Sequence, residues 1–373
     1  MAIAAVKAPF YYAGWLPFWK KQDGARSVAL NLEKLNEISP FSYEVNSKGG
    51  LVDVLKINEG FWPSWLSAVR DGGVKIIPTI AWFDGQGINN LLTNKSKRIA
   101  QEDAIAKLVK NQKFDGIDID YESKLAETKN YFSTFLYGLA IRLHPLGKKL
   151  SCTIEPRMPV SSRYTQTGTP DDHKYANDYT MINKYCDEVR IMAYDQGVID
   201  VELDASKGNG KLYAPVADSD WVKKVLSEAV KKISPKKIML GIPTYGYEYE
   251  VTWENGFTIY RRLRSHTFLQ AMDRSDSVGI APQRNSAGEL SFFYATSTFV
   301  DDVSDSLTWY VSSTRPLAIT SSGTSTPVTR FVSFSDAQSA QEKISLAKKL
   351  GLRGVVFFKW DGEQDPGLWN LLK

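Results

Sequence analysis

The stretch FDGIDIDYE, residues 114–122, decides the fold of this chain. Its apolar and acidic residues alternate, as in a β-strand whose successive side chains point to opposite faces. The acidic residues on one face are Asp118, Asp120 and Glu122. Packed carboxylates repel one another unless they share a proton or meet a ligand. Because neighbouring negative charge raises a carboxyl pKa, the pattern predicts a catalytic acid that works near neutral pH.

Two structural alternatives explain the stretch less well. A helix-loop-helix calcium loop beginning at Asp118 would need Gly at its sixth position and Glu at its twelfth. Those positions hold Ser123 and Lys129. A solvated acidic edge would not alternate with apolar residues suited to burial on the other face. Asp115 has the opposite parity to the three acids, so we expect it, with Gly116, to be structural.

The composition is that of an ordinary soluble globular protein, with 43% hydrophobic and 24% charged residues among 373. The net charge of +4 is too small to indicate a nucleic-acid partner. No run approaches the roughly 20 apolar residues that span a bilayer, so no membrane partner is expected. The apolar stretch within residues 1–9 is too short for a signal peptide. The protein is therefore either cytoplasmic or begins after a removed signal.

Cysteine and histidine are scarce. Cys152 and Cys186 lie in or beside apolar strands, which favours buried free thiols over a single bridge. The three histidines, His144, His173 and His266, are widely spaced. We therefore expect neither a metal site nor a His-dependent catalytic triad, and no cofactor.

Strand and helix patterns alternate along the chain. Apolar strand patterns occur at residues 10–18, 41–45, 74–82, 114–122, 150–154, 188–194, 237–243 and 354–360. Helical patterns lie between them, including one at residues 27–38. Eight such units predict a (β/α)8 TIM barrel of the α/β class, with its chemistry at the C-terminal ends of the strands. Glu122, Asp195 and Trp360 all fall at or just past such ends.

One segment interrupts this alternation. About ninety residues, 245–335, separate the seventh strand from its helix, far more than a usual βα loop. Strand candidates within it are residues 257–260, 291–294 and 331–334, and Gly and Ser dominate residues 312–327. The pattern predicts a small α+β insertion that walls one side of the cleft, within a single catalytic domain of residues 1–373.

The signature DxxDxDxE at residues 115–122 resembles that of glycoside hydrolase family 18, the chitinase-like hydrolases. Three later segments resemble further motifs of this family in the same order. They are VRIMAYD at residues 189–195, GIPTYGY at residues 241–247 and GVVFFKWD at residues 354–361. The resemblance therefore covers nearly the whole chain.

The resemblance implies a retaining glycosidase that cleaves β-1,4 linkages of N-acetylglucosamine-containing polysaccharide without an enzymic nucleophile. Glu122 would protonate the glycosidic oxygen and then act as a base toward water. Asp120 would hold the acetamido N–H, and Asp118 would share a proton with Asp120. Tyr194 would donate a hydrogen bond to the acetamido oxygen, whose attack on the anomeric carbon forms an oxazolinium ion.

The resemblance also implies a set of substrate-binding residues around this centre. They are Trp15, Trp82, Met192, Asp195, Tyr245, Tyr247 and Trp360, the last as an apolar floor beneath the reacting sugar. It further implies a monomer that is secreted or associated with the cell wall.

The seventh-strand motif bears on the substrate. Many chitinases have Arg where this chain has Tyr247. Together with WDGEQDPGLW at residues 360–369, this resembles the branch that includes spore-cortex peptidoglycan hydrolases. Chitin, chitooligosaccharide and peptidoglycan therefore all remain candidate substrates. A non-catalytic sugar-binding protein is the alternative, against which the presence of Glu122 argues. The scarcity of His argues against an unrelated metal-dependent barrel hydrolase.

Overall fold

The computed structural model describes residues 9–162, 175–254, 256–296, 308–312 and 328–372. Within these ranges, none of the helices has the length and apolar character needed to cross a membrane. The β-strands are β1 (Tyr11–Leu16), β2 (Glu37–Val45), β3 (Leu51–Asp53), β4 (Lys75–Ile76), β5 (Thr79–Trp82), β6 (Gly116–Tyr121), β7 (Lys149–Ile154), β8 (Glu188–Ile191), β9 (Ile238–Pro243), β10 (Tyr245–Glu254), β11 (Phe257–Thr267), β12 (Gln283–Arg284), β13 (Leu290–Thr296), β14 (Thr308–Ser312), β15 (Val328–Phe334) and β16 (Gly354–Phe358). The α-helices are α1 (Lys21–Ala29), α2 (Trp62–Asp71), α3 (Gly85–Thr93), α4 (Lys95–Asn111), α5 (Lys129–Leu143), α6 (Tyr179–Tyr185), α7 (Val201–Leu203), α8 (Ser219–Ala229), α9 (Phe268–Val278) and α10 (Ala337–Lys349).

Eight parallel strands close into a barrel, as the alternating sequence pattern predicts. Their order is β1, β16, β9, β8, β7, β6, β5 and β2, and β2 pairs with β1 to complete the ring. The third predicted strand is divided into β4 and β5, which both pair with β2. The fold is a (β/α)8 TIM barrel, whose strands all end at the same face.

Two apolar layers hold the barrel together, because each buried parallel strand packs on both of its faces. A small cluster fills the interior and comprises Ala13, Trp15, Phe41, Ala81, Met239 and Val356. A much larger cluster lies between the strands and the surrounding helices. Alternate residues of each strand therefore belong to different layers. Only side chains that face the interior can reach the mouth of the barrel.

A second sheet lies between β9 and α10. Its strand order is β12, β13, β15, β10, β11 and β14, with antiparallel neighbours. The three strand candidates of residues 245–335 lie within β11, β13 and β15. Residues 313–327 of the Gly- and Ser-rich stretch lie outside the described residues. The chain leaves the barrel through β10 and returns through β15, which pair at Gly246 and Phe334.

The helix predicted over residues 27–38 is wrong. The helix α1 ends at Ala29, three residues into the predicted range, and β2 begins at Glu37, where residues 37–40 pair with β1. Leu30, which the helical spacing placed on a buried face, is 72% exposed. Pairing with β1 therefore outweighs the local helical period, since it buries Ile38 inside the barrel wall.

The expectation of free thiols is also wrong. Cys152 on β7 and Cys186 just before β8 form a disulfide, with their Cα atoms 6.1 Å apart. The strands β7 and β8 are neighbours, and the backbone N–H of Asp187 donates to the carbonyl of Leu150 at 2.9 Å. This pairing brings the two sulfur atoms together in the apolar layer outside the barrel.

Candidate active site

Three carboxyl groups rise along one face of β6 and the residue after it. Asp118 and Asp120 are buried, and Glu122 is partly buried at the mouth of the barrel. The backbone N–H of Glu122 donates to the carbonyl of Trp82 at 2.8 Å, which extends the pairing of β5 and β6 by one step. The structure therefore brings together the three acids that the alternating sequence predicts.

Asp118 forms the base of this column and is surrounded by donors. Its carboxylate accepts hydrogen bonds from the hydroxyls of three residues at 2.8–3.0 Å, which are Thr79, Ser151 and Thr153. The indole N–H of Trp15 donates to it at 3.2 Å, and the Arg190 guanidinium lies 3.3 Å away. The donors around Asp118 thus come from four other barrel strands, which are β1, β5, β7 and β8.

Arg190 is completely buried and holds two further carboxylates. It lies 2.6 Å from Glu37 and 3.0 Å from Glu188, and it donates to the Ser39 hydroxyl at 2.7 Å. Burial alone would raise the pKa of Glu37. The charge of Arg190 is the largest of several interactions that outweigh burial and lower this pKa to about 2. Arg190, Glu37 and Glu188 therefore form an ionic network inside the barrel, below the carboxyl column.

Asp120 occupies the middle of the column. Burial, followed by the negative charges of Glu122 and Asp118, raises its pKa well above the ordinary value. One of its oxygens, Oδ1, is buried without a protein partner. Among the described residues, no hydrogen bond joins Asp118 to Asp120. Asp120 therefore holds a proton more firmly than an ordinary carboxyl group does, and it keeps one polar atom available to a ligand.

Glu122 stands at the open end. Burial raises its pKa to about 7, and the charges of Glu155 and Asp195 act in the same direction. The ammonium group of Lys124 partly opposes them. A carboxyl group with such a pKa can donate a proton near neutrality and then accept one back, as a general acid and base must.

A cavity of about 320 Å³ opens above the column. The cavity is lined by seven aromatic residues, which are Trp15, Phe18, Trp19, Phe41, Phe83, Tyr194 and Phe358. The other lining residues are Glu44, Ala81, Asp120, Glu122, Met192 and Asp195. Trp19 and Phe83 are 49% and 56% exposed. Exposed aromatic faces beside polar groups are typical of a site for a flat, amphipathic ligand.

Asp195 joins this cavity to a second one of about 390 Å³. It has a left-handed backbone, with φ 61°, and its carboxylate accepts hydrogen bonds from the hydroxyls of Tyr245 and Tyr247. The second cavity is lined by residues of β10, β11 and α9 and, on the barrel side, by Trp19. The second sheet therefore forms one wall of the cleft beside Asp195.

The aromatic floor of the cavity differs from the expectation. Trp360 does not line the cavity, because it is fully buried and stacks on Trp369 with ring centroids 3.9 Å apart. Phe358, two residues earlier, lines the cavity and stacks on Tyr194 at 5.5 Å. Val356 belongs to the interior layer, so strand alternation brings Phe358 to the mouth.

Trp82 is likewise absent from the lining of both cavities. Thr79 and Ala81 face the barrel interior, so Trp82 faces outward, where it packs edge-on against Tyr121 at 5.4 Å. Phe83, the next residue, reaches the cavity instead. Trp15 has the interior parity and lies where the sequence placed it, although it is almost entirely buried.

The residues that sequence reasoning missed are Phe18, Trp19, Phe41, Glu44, Phe83, Glu155, Arg190 and Phe358. Strand alternation counted from the observed strand starts would have identified Phe358 and excluded Trp82. The role of Arg190 had no local signal, since its partner Glu37 lies 153 positions away in the chain. Among the described residues, no group of His, Cys, Asp or Glu is arranged to hold a metal ion.

A closed (β/α)8 barrel with a carboxyl column at the C-terminal end of its fourth strand is an architecture of glycoside hydrolases. The chain belongs to glycosyl hydrolases family 18, whose profile matches residues 65–363.

Curated relatives agree with this assignment. The chain is 28% identical over 212 residues to the uncharacterized glycosylase YvbX of Bacillus subtilis (strain 168), a match of 57% of this chain and 55% of the relative. It is 25% identical over 256 residues to the cortical fragment-lytic enzyme of Bacillus anthracis, covering 69% of this chain and 48% of that protein. The chain thus spans about half the length of these curated relatives.

The fold also matches a solved structure. The spore cortex-lytic enzyme SleL of Bacillus megaterium QM B1551 superposes with a TM-score of 0.70 at 22% identity, over 99% of this chain and 74% of that one. At this identity the likeness speaks for the fold alone.

Proposed function

We propose that the chain is a retaining glycosidase that cleaves β-1,4 linkages of N-acetylglucosamine-containing polysaccharide with the help of the substrate's own acetamido group. The observation that carries the proposal is the position of Glu122 at the open end of a column whose base, Asp118, is paired with Arg190. Burial in this position raises the pKa of Glu122 to about 7. Such a column provides one proton donor near neutrality, and its acids all approach the sugar from the side of β6.

In the first step Glu122 donates its proton to the glycosidic oxygen. The acetamido oxygen attacks the anomeric carbon as the glycosidic bond breaks, and the product is an oxazolinium ion. The unpartnered oxygen of Asp120 accepts the acetamido N–H, and ionised Asp120 stabilises the positive charge. As expected of a pair that shares a proton, Asp120 passes its proton to Asp118 when it accepts the acetamido N–H, and this transfer leaves Asp120 ionised.

Tyr194 orients the acetamido oxygen as a hydrogen-bond donor. Burial and the nearby carboxylates raise its pKa well above the ordinary value, so its hydroxyl keeps its proton. In the second step Glu122 accepts a proton from water as the water oxygen attacks the anomeric carbon. The acetamido group is released and the configuration of the product is retained. Phe358, rather than Trp360, provides the apolar floor.

Peptidoglycan and chitin oligomers are the substrates to compare. Two features favour peptidoglycan, which are the similarity to the cortical fragment-lytic enzyme and Tyr247 at the position where many chitinases have Arg. We place the site of action outside the cytoplasmic membrane, where such polymers lie, and expect the protein to act as a monomer. No metal or cofactor is needed for these steps.

The deciding experiment is product analysis by mass spectrometry on chitin oligomers and on purified peptidoglycan. Wild-type protein should release products from at least one substrate, and Glu122→Gln should reduce the rate by on the order of a hundredfold or more. A thiazoline mimic of the oxazolinium ion should inhibit competitively. Efficient cleavage of an unsubstituted glucan, or a glycosyl ester trapped on any Asp or Glu, would defeat the mechanism.

A further inference from the structure

Glu155 follows β7 and reaches across to the segment that carries Glu122. Its Oε1 atom accepts a hydrogen bond from the backbone N–H of Ser123 at 3.0 Å. Its Oε2 atom accepts from the Asn177 side chain at 2.6 Å and lies 3.2 Å from the Lys124 ammonium. About a third of the side chain is exposed. Glu155 is thus tied both to the residue after the acid and to Asn177, near the end of its own loop before α6.

The backbone next to Glu122 has an unusual conformation that needs such support. Ser123 has φ 57°, in the left-handed region that non-glycine residues adopt only when the surroundings hold them there. On its other side the Ser123 carbonyl packs against Gly85, where a Cβ atom would collide with it. Glu155 therefore holds the N–H of Ser123, and the absence of a side chain at Gly85 leaves room for the Ser123 carbonyl.

Lys124 completes this arrangement. Its ammonium group donates to the carbonyl of Tyr121 and lies over the ring of Phe132 at 4.9 Å, and its side chain is almost fully buried. The residues on either side of Glu122 are consequently anchored. The carboxyl group of Glu122 projects from a short segment with little freedom to move.

The charge of Glu155 also acts on Glu122. Charged or titratable groups surround Glu122 from five places in the fold. These groups are Asp118 and Asp120 on β6, Lys124 in the loop after β6, Glu155 after β7, Tyr194 and Asp195 after β8, and Glu44 on β2. After burial, Glu155 contributes most to raising the pKa of Glu122, whereas Lys124 lowers it.

We propose that Glu155 is a positioning residue, which anchors the peptide after Glu122 through Ser123 and whose charge sets the pH range in which Glu122 can donate a proton. This proposal rests on the proposed role of Glu122 as the acid. It assigns a function to a residue that does not line either cavity of the cleft.

Two variants separate the anchor from the charge. Glu155→Gln keeps an oxygen for the Ser123 N–H and removes the charge. The Glu122 titration and the alkaline limb of the rate profile should both move down by about half to one pH unit. Glu155→Asp keeps the charge but shortens the reach to Ser123. The rate constant kcat should fall about tenfold with KM unchanged, while the alkaline limb stays within about 0.3 pH unit of wild type.

The titration is measured by the ¹³C chemical shift of the Glu122 carboxyl group, which is assigned by its absence from Glu122→Gln. Lys124→Met is the matched control of opposite sign, because loss of the ammonium group should raise the midpoint. An unchanged midpoint in folded Glu155→Gln, or an unchanged kcat in Glu155→Asp, would overturn the proposal. The titration needs no substrate. A protein that hydrolyses nothing would therefore contradict the proposed function, and the titration would still test the role of Glu155.

Discussion

Arg190 and Asp118 form an ion pair inside the barrel, with Nη1 of the guanidinium 3.3 Å from Oδ2 of the carboxylate and neither side chain exposed. The pair places a positive charge beside the lowest acid of the column. The negative charge of Asp118 is in turn one of the causes that raise the pKa of Asp120. A residue that lines neither cavity is thereby linked, through Asp118, to the acids that do.

Arg190→Met should destabilise the protein by about 3–5 kcal/mol, because it leaves Asp118, Glu37 and Glu188 buried around the lost charge. Urea unfolding followed by circular dichroism measures the change. Lys231→Met is the control, since that lysine pairs with Glu228 while 60% exposed and should change stability by less than about 1 kcal/mol. Equal effects of the two substitutions would show that the network does not stabilise the barrel.

Glu122→Gln should raise the melting temperature above pH 7 and leave it nearly unchanged below pH 4.5. The folded-state pKa of Glu122, about 7, lies above its ordinary value of 4.5. The folded protein therefore binds more protons than the unfolded chain between these values, and wild-type stability falls as pH rises through that window. Calorimetry at pH 4 and pH 8.5 measures the difference. A variant less stable than wild type at pH 8.5 would contradict the assignment.

Trp19→Ala should weaken the binding of N-acetylglucosamine oligomers about five- to tenfold, because its half-exposed ring borders both cavities. Isothermal titration calorimetry in the Glu122→Gln background avoids turnover. Phe293→Ala is the matched control, since Phe293 is 52% exposed but borders neither cavity of the cleft. Similar losses in the two variants would place the sugar path elsewhere.

Replacing Cys152 and Cys186 with Ser should lower stability by about 3–4 kcal/mol, because the bond closes a loop between residues 34 positions apart. Thermal melts with and without a reductant provide the measurement, and thiol titration of the unfolded protein counts the free groups. The reductant should not affect the double variant. A wild-type melt that is insensitive to full reduction would contradict the prediction.

Sequence patterns predicted the barrel and the carboxyl column because both depend on local alternation. The DxDxE spacing places three acids on one face whatever the exact ends of β6. The same reasoning failed for Trp82, since the third predicted strand is divided into β4 and β5 and its parity had to be counted from Thr79. The prediction that Trp360 forms the floor was wrong because Trp360 lies beyond the end of β16, where strand alternation no longer applies.

Other features depend on contacts between distant parts of the chain. The helical spacing at residues 27–38 is real in the sequence, but pairing of β2 with β1 overrides it. The disulfide requires that β7 and β8 be neighbours. The pairing of Arg190 with Glu37 spans the barrel interior. No local pattern carries such information, because each partner alone resembles an ordinary buried or exposed residue.

The segment that forms the second sheet begins and ends on two paired strands, where Gly246 of β10 lies opposite Phe334 of β15. An insertion whose ends meet side by side places few demands on the length or content of what lies between. The barrel should therefore tolerate large changes in this part of the chain. Changes confined to the wall beside Asp195 should alter which polymer the cleft accepts and leave the column of acids intact.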